Sequence, residues 1–583
     1  MHESLVELWE SSARKYNDRD LFGTKRDGVW SWLTYGQVDE LVQAMRGGLK
    51  QLGVAEGDRV AMIADNCVPW AVSAHATYGL GAIFVPMYTA QVCDEWVFIL
   101  ADCGAKVVIV ANEKIHSELE ARRAELPELR HLIGLARPAG ADGAYESVLE
   151  LGRKHPTPSL KPAAEATAGF IYTSGTTGNP KGVKLSHKNF CSNCDAIHQV
   201  FPLHKECSLA FLPWAHALGQ TGELHFFTQE GFAIAINDDV AKLVTNLPEV
   251  RPTLMVAVPR IFNRIYDGVN RQMAAKPKPI QALFRRGLEL AKLSAQGQEL
   301  GFVDRLVLRL ADSLIFSKVR ERFGGRLKLV ISGSAALNRE VAEFIDALGI
   351  MIYEGYGLTE TSPVVSVNYP GARKMGSIGR PLPGIRVVID ESKGSTPHEG
   401  EIVVYGPCVM QGYHNRPEET AAALDADGGL HSGDLGYVDA DGYVFITGRL
   451  KELYKLETGK YVAPAALEEQ LKLSPFIANA MIYGANKPHN VALIVLDPAA
   501  LEQWRKKTGT SDPDVTNNAE LRRVVMEEID KCSGEFKSYE KPRKVLLTTD
   551  DFTTDNGMLT PSLKVKRAAV VKRYGQALEG LYR

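Results

Sequence analysis

Apolar residues follow two spacings along the chain. Short runs rich in β-branched side chains stand at 59–64 (RVAMIA), 106–110 (KVVIV), 169–172 (GFIY), 209–212, 232–236, 254–258 and 327–331 (LKLVI), and each predicts a strand. Between them apolar positions recur three and four apart. Val38, Leu41, Val42, Met45 and Leu49 fall on one helical face; Val341, Phe344, Ile345 and Leu348 fall on another, behind Asn338 as its N-cap. The alternation predicts an α/β fold of layers with largely parallel sheets. After about residue 384 the pattern changes. Runs at 386–389, 401–404 and 443–447 are joined by Gly- and Asp-rich turns, which suggests a small antiparallel β unit. The remaining residues predict helices near 464–473 and 518–531. The expected division is therefore 1–449, a large N-terminal domain of layered α/β subdomains plus the β unit, and 450–583, a small mobile α+β C-terminal domain.

Composition adds little to this picture. The chain has 583 residues, 45% hydrophobic and 23% charged, with a formal net charge of −3. Nothing in that balance points to nucleic acid. The apolar stretch 74–88 is broken by glycines and a proline and is too short to span a bilayer. The segment MHESLVELWESS lacks the basic and apolar regions of a signal peptide, so a cytoplasmic protein is expected, with room for peripheral contact with an anionic membrane. The eight cysteines are scattered, as reduced thiols would be. Cys191 and Cys194 form a CxxC after His187, but no second ligand pair accompanies them, so they are expected to be ordinary residues of one helix.

Candidate chemistry begins at 169–183, GFIYTSGTTGNPKGV: a strand, a loop of glycines and hydroxylated residues, then a lysine. Glycines let backbone amides approach phosphate oxygens, while hydroxyls and Lys181 add donors and charge. The order does not match the Walker pattern GxxxxGK[ST], because Pro180 precedes Lys181 and Gly182 follows it. No GxSxG elbow occurs either. Further stations follow: 212–219 (LPWAHALG), 332–337 (SGSAAL), 353–361 (YEGYGLTET), 430–435 (LHSGDL), 448–455 (GRLKELYK) and 556–567 (NGMLTPSLKVKR).

In this order, and over nearly the whole chain, the sequence resembles the adenylate-forming superfamily of acyl-CoA synthetases, luciferases and peptide-synthetase adenylation domains. The resemblance implies that Thr173, Ser174, Gly175, Thr176, Thr177, Gly178 and Lys181 cradle the phosphates of ATP. Ser334 and Ala335 would border the adenine, with Tyr356 stacked on it between Gly355 and Gly357. Thr359 would contact the α-phosphate, and Glu360 with Thr173 would hold Mg²⁺. His216 would lie near the carboxylate and α-phosphate. Asp434 would accept from the ribose hydroxyls, and Arg449 would hold ribose or phosphate. Lys451 would be the pivot between the domains. Lys455 would enter the site in one domain orientation and Lys564, or alternatively Lys566, in the other. Gly459 would let coenzyme A pass. Two departures stand out: Gly429 where relatives often carry tryptophan, which is expected to loosen local packing, and Leu563 where glycine often precedes the lysine.

Residues 258–266 (VPRIFNRIY) and 353–368 look closest to long-chain fatty-acid–CoA ligases, which implies fatty acid, ATP and coenzyme A as substrates. A carrier-protein acceptor, or a non-catalytic relative that binds acyl groups or AMP, are the alternatives. The helical stretch 264–323 resembles an insertion. From 260 to 326 there are fourteen Lys and Arg against six Asp and Glu. That excess suits either an anionic membrane or a solvated helical face, and the sequence leaves both readings open. Acyl chain length and oligomeric state are not legible from it.

Overall fold

The structure is a computed structural model. It describes all residues except 1, 174–178, 296, 334–336, 395–396, 511–514, 535, 555 and 561–563, and at 240, 260, 264 and 515 the backbone alone. The strand-predicting runs all contribute to sheets, shifted by a residue or two at their ends. A seven-stranded sheet has the order Gly412–Tyr413, Lys181–Ser186, Thr167–Thr173, Ile83–Met87, Arg59–Ile63, Val107–Val110, His131–Gly134. Its last five strands are parallel, whereas Thr167–Thr173 and Lys181–Ser186 form an antiparallel hairpin around the glycine-rich loop. A second sheet places Leu254–Ala257, Leu329–Ser332 and Met351–Gly357 in parallel and then turns antiparallel through Val364–Val367 and Arg380–Pro381. The α/β sheets are thus largely parallel, as expected, with antiparallel strands added at their edges by hairpins that need no crossover.

The helices follow the predicted faces. In Tyr35–Gln51, Val38, Val42, Met45 and Leu49 are buried and Leu41 packs beside them. Arg339–Ala347 begins at Asn338, whose side chain accepts from the amides of Glu340 and Val341. Strands Arg386–Asp390, Gly400–Tyr405, Leu430–Val438 and Val444–Arg449 form the antiparallel unit. Beyond Arg449, strands Ile477–Tyr483, Asn490–Leu496 and Pro542–Thr548 make a separate sheet. Its central strand is buried on both faces. Ala492, Ile494 and Leu496 meet helices Pro464–Leu471 and Ala519–Cys532, while Val491, Leu493 and Val495 meet Arg567–Gly580.

Cys191 and Cys194 are buried free thiols within helix His187–Val200. They sit beside a nest of three buried histidines: His75, His187 and His225. His75 stacks on Trp9 with ring centroids 4.3 Å apart and lies 5.7 Å from His225. The amide of Leu5 donates to Nδ1 of His187 at 3.3 Å. Among the described residues, neither ring nitrogen of His75 or His225 has a hydrogen-bond partner. Burial disfavours the imidazolium at each: His75 is pushed down to about 3, His187 to about 4, and His225 well below its ordinary value.

These residues bind protons in the unfolded chain below about pH 6.5 but stay neutral in the fold. Their contribution to stability is therefore present above that pH and is lost as pH falls toward about 4. Melting temperature should drop across this window. His225→Phe should make the stability slope shallower by roughly 1.4 kcal/mol per pH unit. Melting curves of both proteins from pH 4 to 7 check this, and parallel pH profiles would refute it.

Candidate active site

The hairpin, the second sheet and the β unit bring their chemistry to one cleft. Thr173 ends its strand opposite Lys181 in the ladder. The Lys181 ammonium lies 5.2 Å from the centre of the Tyr413 ring and 3.9 Å from a Glu419 carboxylate oxygen. Tyr413 reaches this place because Gly412–Tyr413 adds to the edge of Lys181–Ser186. Its hydroxyl donates to Oε1 of Glu360 at 2.9 Å, which fixes one carboxylate oxygen and leaves the other for a ligand. Glu360 lies in the single turn Thr359–Thr361, whose ends are held by Leu358 N–H donating to the Thr361 hydroxyl and by Met410 N–H donating to the Glu360 carbonyl. A side chain at Gly357 would meet the Pro363 carbonyl at 1.8 Å, so this turn closes only over glycine.

Asp434 is almost completely buried, yet it is paired on both oxygens. Tyr356 donates to Oδ2 at 2.7 Å, and Arg449 Nε lies 2.9 Å from Oδ1. Such pairing is what allows a carboxylate to be buried. The strand leading to it is held by Glu401, which accepts from the Gly433 amide and from His431, both at 2.9 Å. Burial, and then the negative charge of Asp434, hold the Tyr356 phenol well above its usual range.

His216 follows strand Cys207–Ala210 in a loop clamped by Asn66, which donates to the Leu212 carbonyl and accepts from Trp214 N–H. Buried Glu223 accepts from Ser208 and from the Trp214 indole; burial pushes it up to about 8, so it ties this loop down as a neutral acid. The Leu218 amide donates to Nδ1 of His216 at 3.2 Å, which leaves Nε2 to carry the proton. Burial, and then the charge of Lys564, push His216 down to about 4. At neutral pH it is an uncharged N–H donor.

Lys564 reaches the cleft from the segment beyond Arg449. Water has access to its side chain, but protein atoms crowd it. Lost hydration first, and Arg449 second, pull its ammonium below the usual lysine range against the opposing pull of Asp434, Glu360 and Glu452. Lys566 points elsewhere: its ammonium lies 3.8 Å from Glu95 on helix Cys93–Cys103. Lys451 is exposed in the turn after Arg449. Lys455 and Gly459 belong to the small hairpin Tyr454–Lys455/Tyr461–Val462, with the Lys455 ammonium 5.5 Å from the Tyr461 ring centre. Gly459 adopts φ +83° there, a conformation suited to glycine. Gly355 and Gly357 belong to the strand that carries Tyr356. Ser174, Gly175, Thr176, Thr177, Gly178, Ser334 and Ala335 lie outside the described residues.

Tyr413 and Glu401 carry no signal in the sequence; each acts through a partner brought close only by sheet pairing. Gly429 corrects an expectation. A side chain there would meet the Tyr405 ring at 2.4 Å, so the space is filled rather than loose. Tyr405 is fixed by its bond to Asp425 at 2.6 Å and by Arg386 over its ring at 3.9 Å. Gly429→Ala should therefore cost about 1–3 kcal/mol. The cost should shrink by at least half when Tyr405 is also replaced by Ser, as a double-mutant cycle from thermal melts would read.

The family model described as AMP-binding enzyme matches residues 9–414, and that of the AMP-binding enzyme C-terminal domain matches residues 452–583. The chain is 31% identical to the long-chain-fatty-acid–CoA ligase FadD15 of Mycobacterium bovis, with 100% of this chain and 97% of that protein covered. It is 30% identical to the human long-chain-fatty-acid–CoA ligase 1, with 99% and 86% covered. A similar solved fold is that of the anthranilate CoA ligase AuaEII in complex with anthranoyl-AMP: TM-score 0.76, 22% identity, 98% of each chain covered.

Proposed function

Because this chain belongs to the family of AMP-binding enzymes, we propose that it is a long-chain fatty-acid–CoA ligase. A fatty-acid carboxylate attacks the α-phosphorus of ATP, and the bond to pyrophosphate breaks as acyl-AMP forms. The coenzyme A thiolate then attacks the acyl carbonyl, and AMP leaves as the thioester forms. The observation that carries this reading is that Lys564, from the segment beyond Arg449, joins Asp434, Glu360, Arg449 and His216 in one cleft. The names of full-length relatives support the acyl substrate and the thiol acceptor.

The nucleophile is already ionised, so catalysis is mostly positioning and charge stabilisation. Asp434 binds the ribose hydroxyls, with Arg449 beside it. Tyr356 presents its ring to the adenine. Thr173, Lys181, Thr359 and residues 174–178 hold phosphates. The Nε2–H of His216 orients the carboxylate or the α-phosphate. Lys564 stabilises the charge that grows on the α-phosphate. Glu360 and Thr173 offer hard oxygens of the kind Mg²⁺ takes, and the ion would neutralise phosphate charge when bound. The unit 450–583 then turns about Lys451, which withdraws Lys564 and brings Lys455 in, while Gly459 gives passage to coenzyme A. Long acyl chains partition into bilayers, so peripheral contact with anionic membranes belongs to this reading.

Release of AMP from a series of C2 to C20 acids with ATP and coenzyme A should peak at long chains. Activity confined to a holo-carrier protein would overturn the choice of acceptor. Lys564→Ala should slow acyl-AMP formation by at least about 100-fold while thioester formation from supplied acyl-AMP stays within a few-fold of wild type. Lys566→Ala should spare the first half-reaction, and the reverse outcome would reassign the lysine.

A further inference from the structure

The helix Phe302–Ala311 and the turn Asp312–Phe316 that continues it present an apolar front to water. Phe302 is 80% exposed, Val303 69%, Leu306 60%, Leu310 49% and Leu314 45%. At 3.6 residues per turn, 302, 306, 310 and 314 lie along one line with Val303 beside it, so the exposed side chains form a single stripe. No other helix among the described residues carries more than one exposed large apolar side chain. The back of this helix is fixed in place. Ala311, Ile315 and Phe316 are buried, and Gly287 of helix Lys278–Ala295 faces Ala311 so closely that a side chain there would meet its Cβ at 2.5 Å. The stripe is therefore held outward by packing rather than left by an unfolded end.

Charge along the same helix is sorted. Its two carboxylates are both engaged: Asp304 by Arg286 at 2.8 Å and Asp312 by Arg320 at 2.7 Å. Arg305 and Arg309, exposed along one border of the stripe, have no carboxylate within ion-pair distance among the described residues, and neither does Lys318 beyond its end. An apolar strip edged by unpaired cations matches a surface with an apolar interior and anionic headgroups. A second copy of the chain fits less well. From 302 to 314 the stripe is about 18 Å long and one helix, about 10 Å, wide. That footprint of roughly 200 Å² is far below the ~800 Å² per partner of a stable protein interface.

We propose that this face is the docking surface of the protein on anionic lipid bilayers: Phe302, Val303, Leu306, Leu310 and Leu314 enter the headgroup–acyl boundary, and Arg305, Arg309 and Lys318 meet lipid phosphates. The inference deepens the membrane part of the proposed function and rests on it only for the supply of acyl substrate. Its test needs no turnover.

Full-length protein should co-sediment with vesicles of phosphatidylcholine containing about a third phosphatidylglycerol, bind pure phosphatidylcholine at least several-fold more weakly, and be released as salt rises. Leu306→Ser with Leu310→Ser should lower partitioning at least 10-fold. Arg305→Gln with Arg309→Gln should lower it about 10-fold and flatten the salt dependence. All four positions are exposed, so melting temperatures should stay near wild type and show that the variants fold. Anionic vesicles that fail to bind the wild type, or variants that bind as wild type does, would overturn the proposal. A self-association seen by sedimentation velocity and abolished by the leucine pair, without vesicle binding, would assign the face to a second copy instead. Vesicle binding without conversion of any fatty acid would leave this face assigned and refute the proposed reaction.

Discussion

The Asp434 carboxylate is the point on which the cleft depends. It is buried in the β unit, it takes a hydrogen bond from Tyr356 in the second sheet, and it takes a charged partner from Arg449, the last residue of strand Val444–Arg449. A buried charge with one partner removed costs several kcal/mol, typically about 3–5. Two sheets and the junction to the following unit are thereby held in register by a single side chain. Glu401 extends the arrangement backward by holding the strand that delivers Asp434.

A second layer of support uses neutral groups. Glu223 is a buried acid kept protonated, and His216 is a half-buried base kept unprotonated. Both states follow mainly from lost hydration. The loop that carries His216 is thus tied down by a neutral acid rather than by a fixed charge. Tyr413 does a related task at Glu360: it fixes a carboxylate with a neutral donor rather than a cation.

Much of this is legible in sequence, and the reasons are local. A strand needs a run, a helix needs a spacing, and Asn338 needs only the two amides that follow it. The stations that carry Asp434, Glu360 and His216 are contiguous in the chain, so their order identifies them. Tyr413 is different. It stands 53 residues from Glu360, and they meet only because a two-residue strand joins a sheet edge. Gly429 is legible as a departure but not as a compensated one, because Tyr405 comes to it across the β unit. Lys564 and Lys566 are two residues apart in a basic run; Glu95, far away near the other end of the chain, separates their surroundings. The exposure of the stripe from Phe302 to Leu314 is hidden for the same reason: apolar spacing reports a helix face but not whether anything covers it.

The Lys566–Glu95 contact is one clasp on the proposed lid, beside the hydrogen bond between Asn338 and Gln470. Partly exposed ion pairs of this kind contribute roughly 0–1 kcal/mol, and a tenfold bias needs about 1.4 kcal/mol. On its own, such a clasp favours the closed arrangement by less than about fivefold. This contact alone would therefore leave occupancy of the cleft, together with the unit's remaining contacts such as that of Asn338 with Gln470, to decide which half of the reaction is in session.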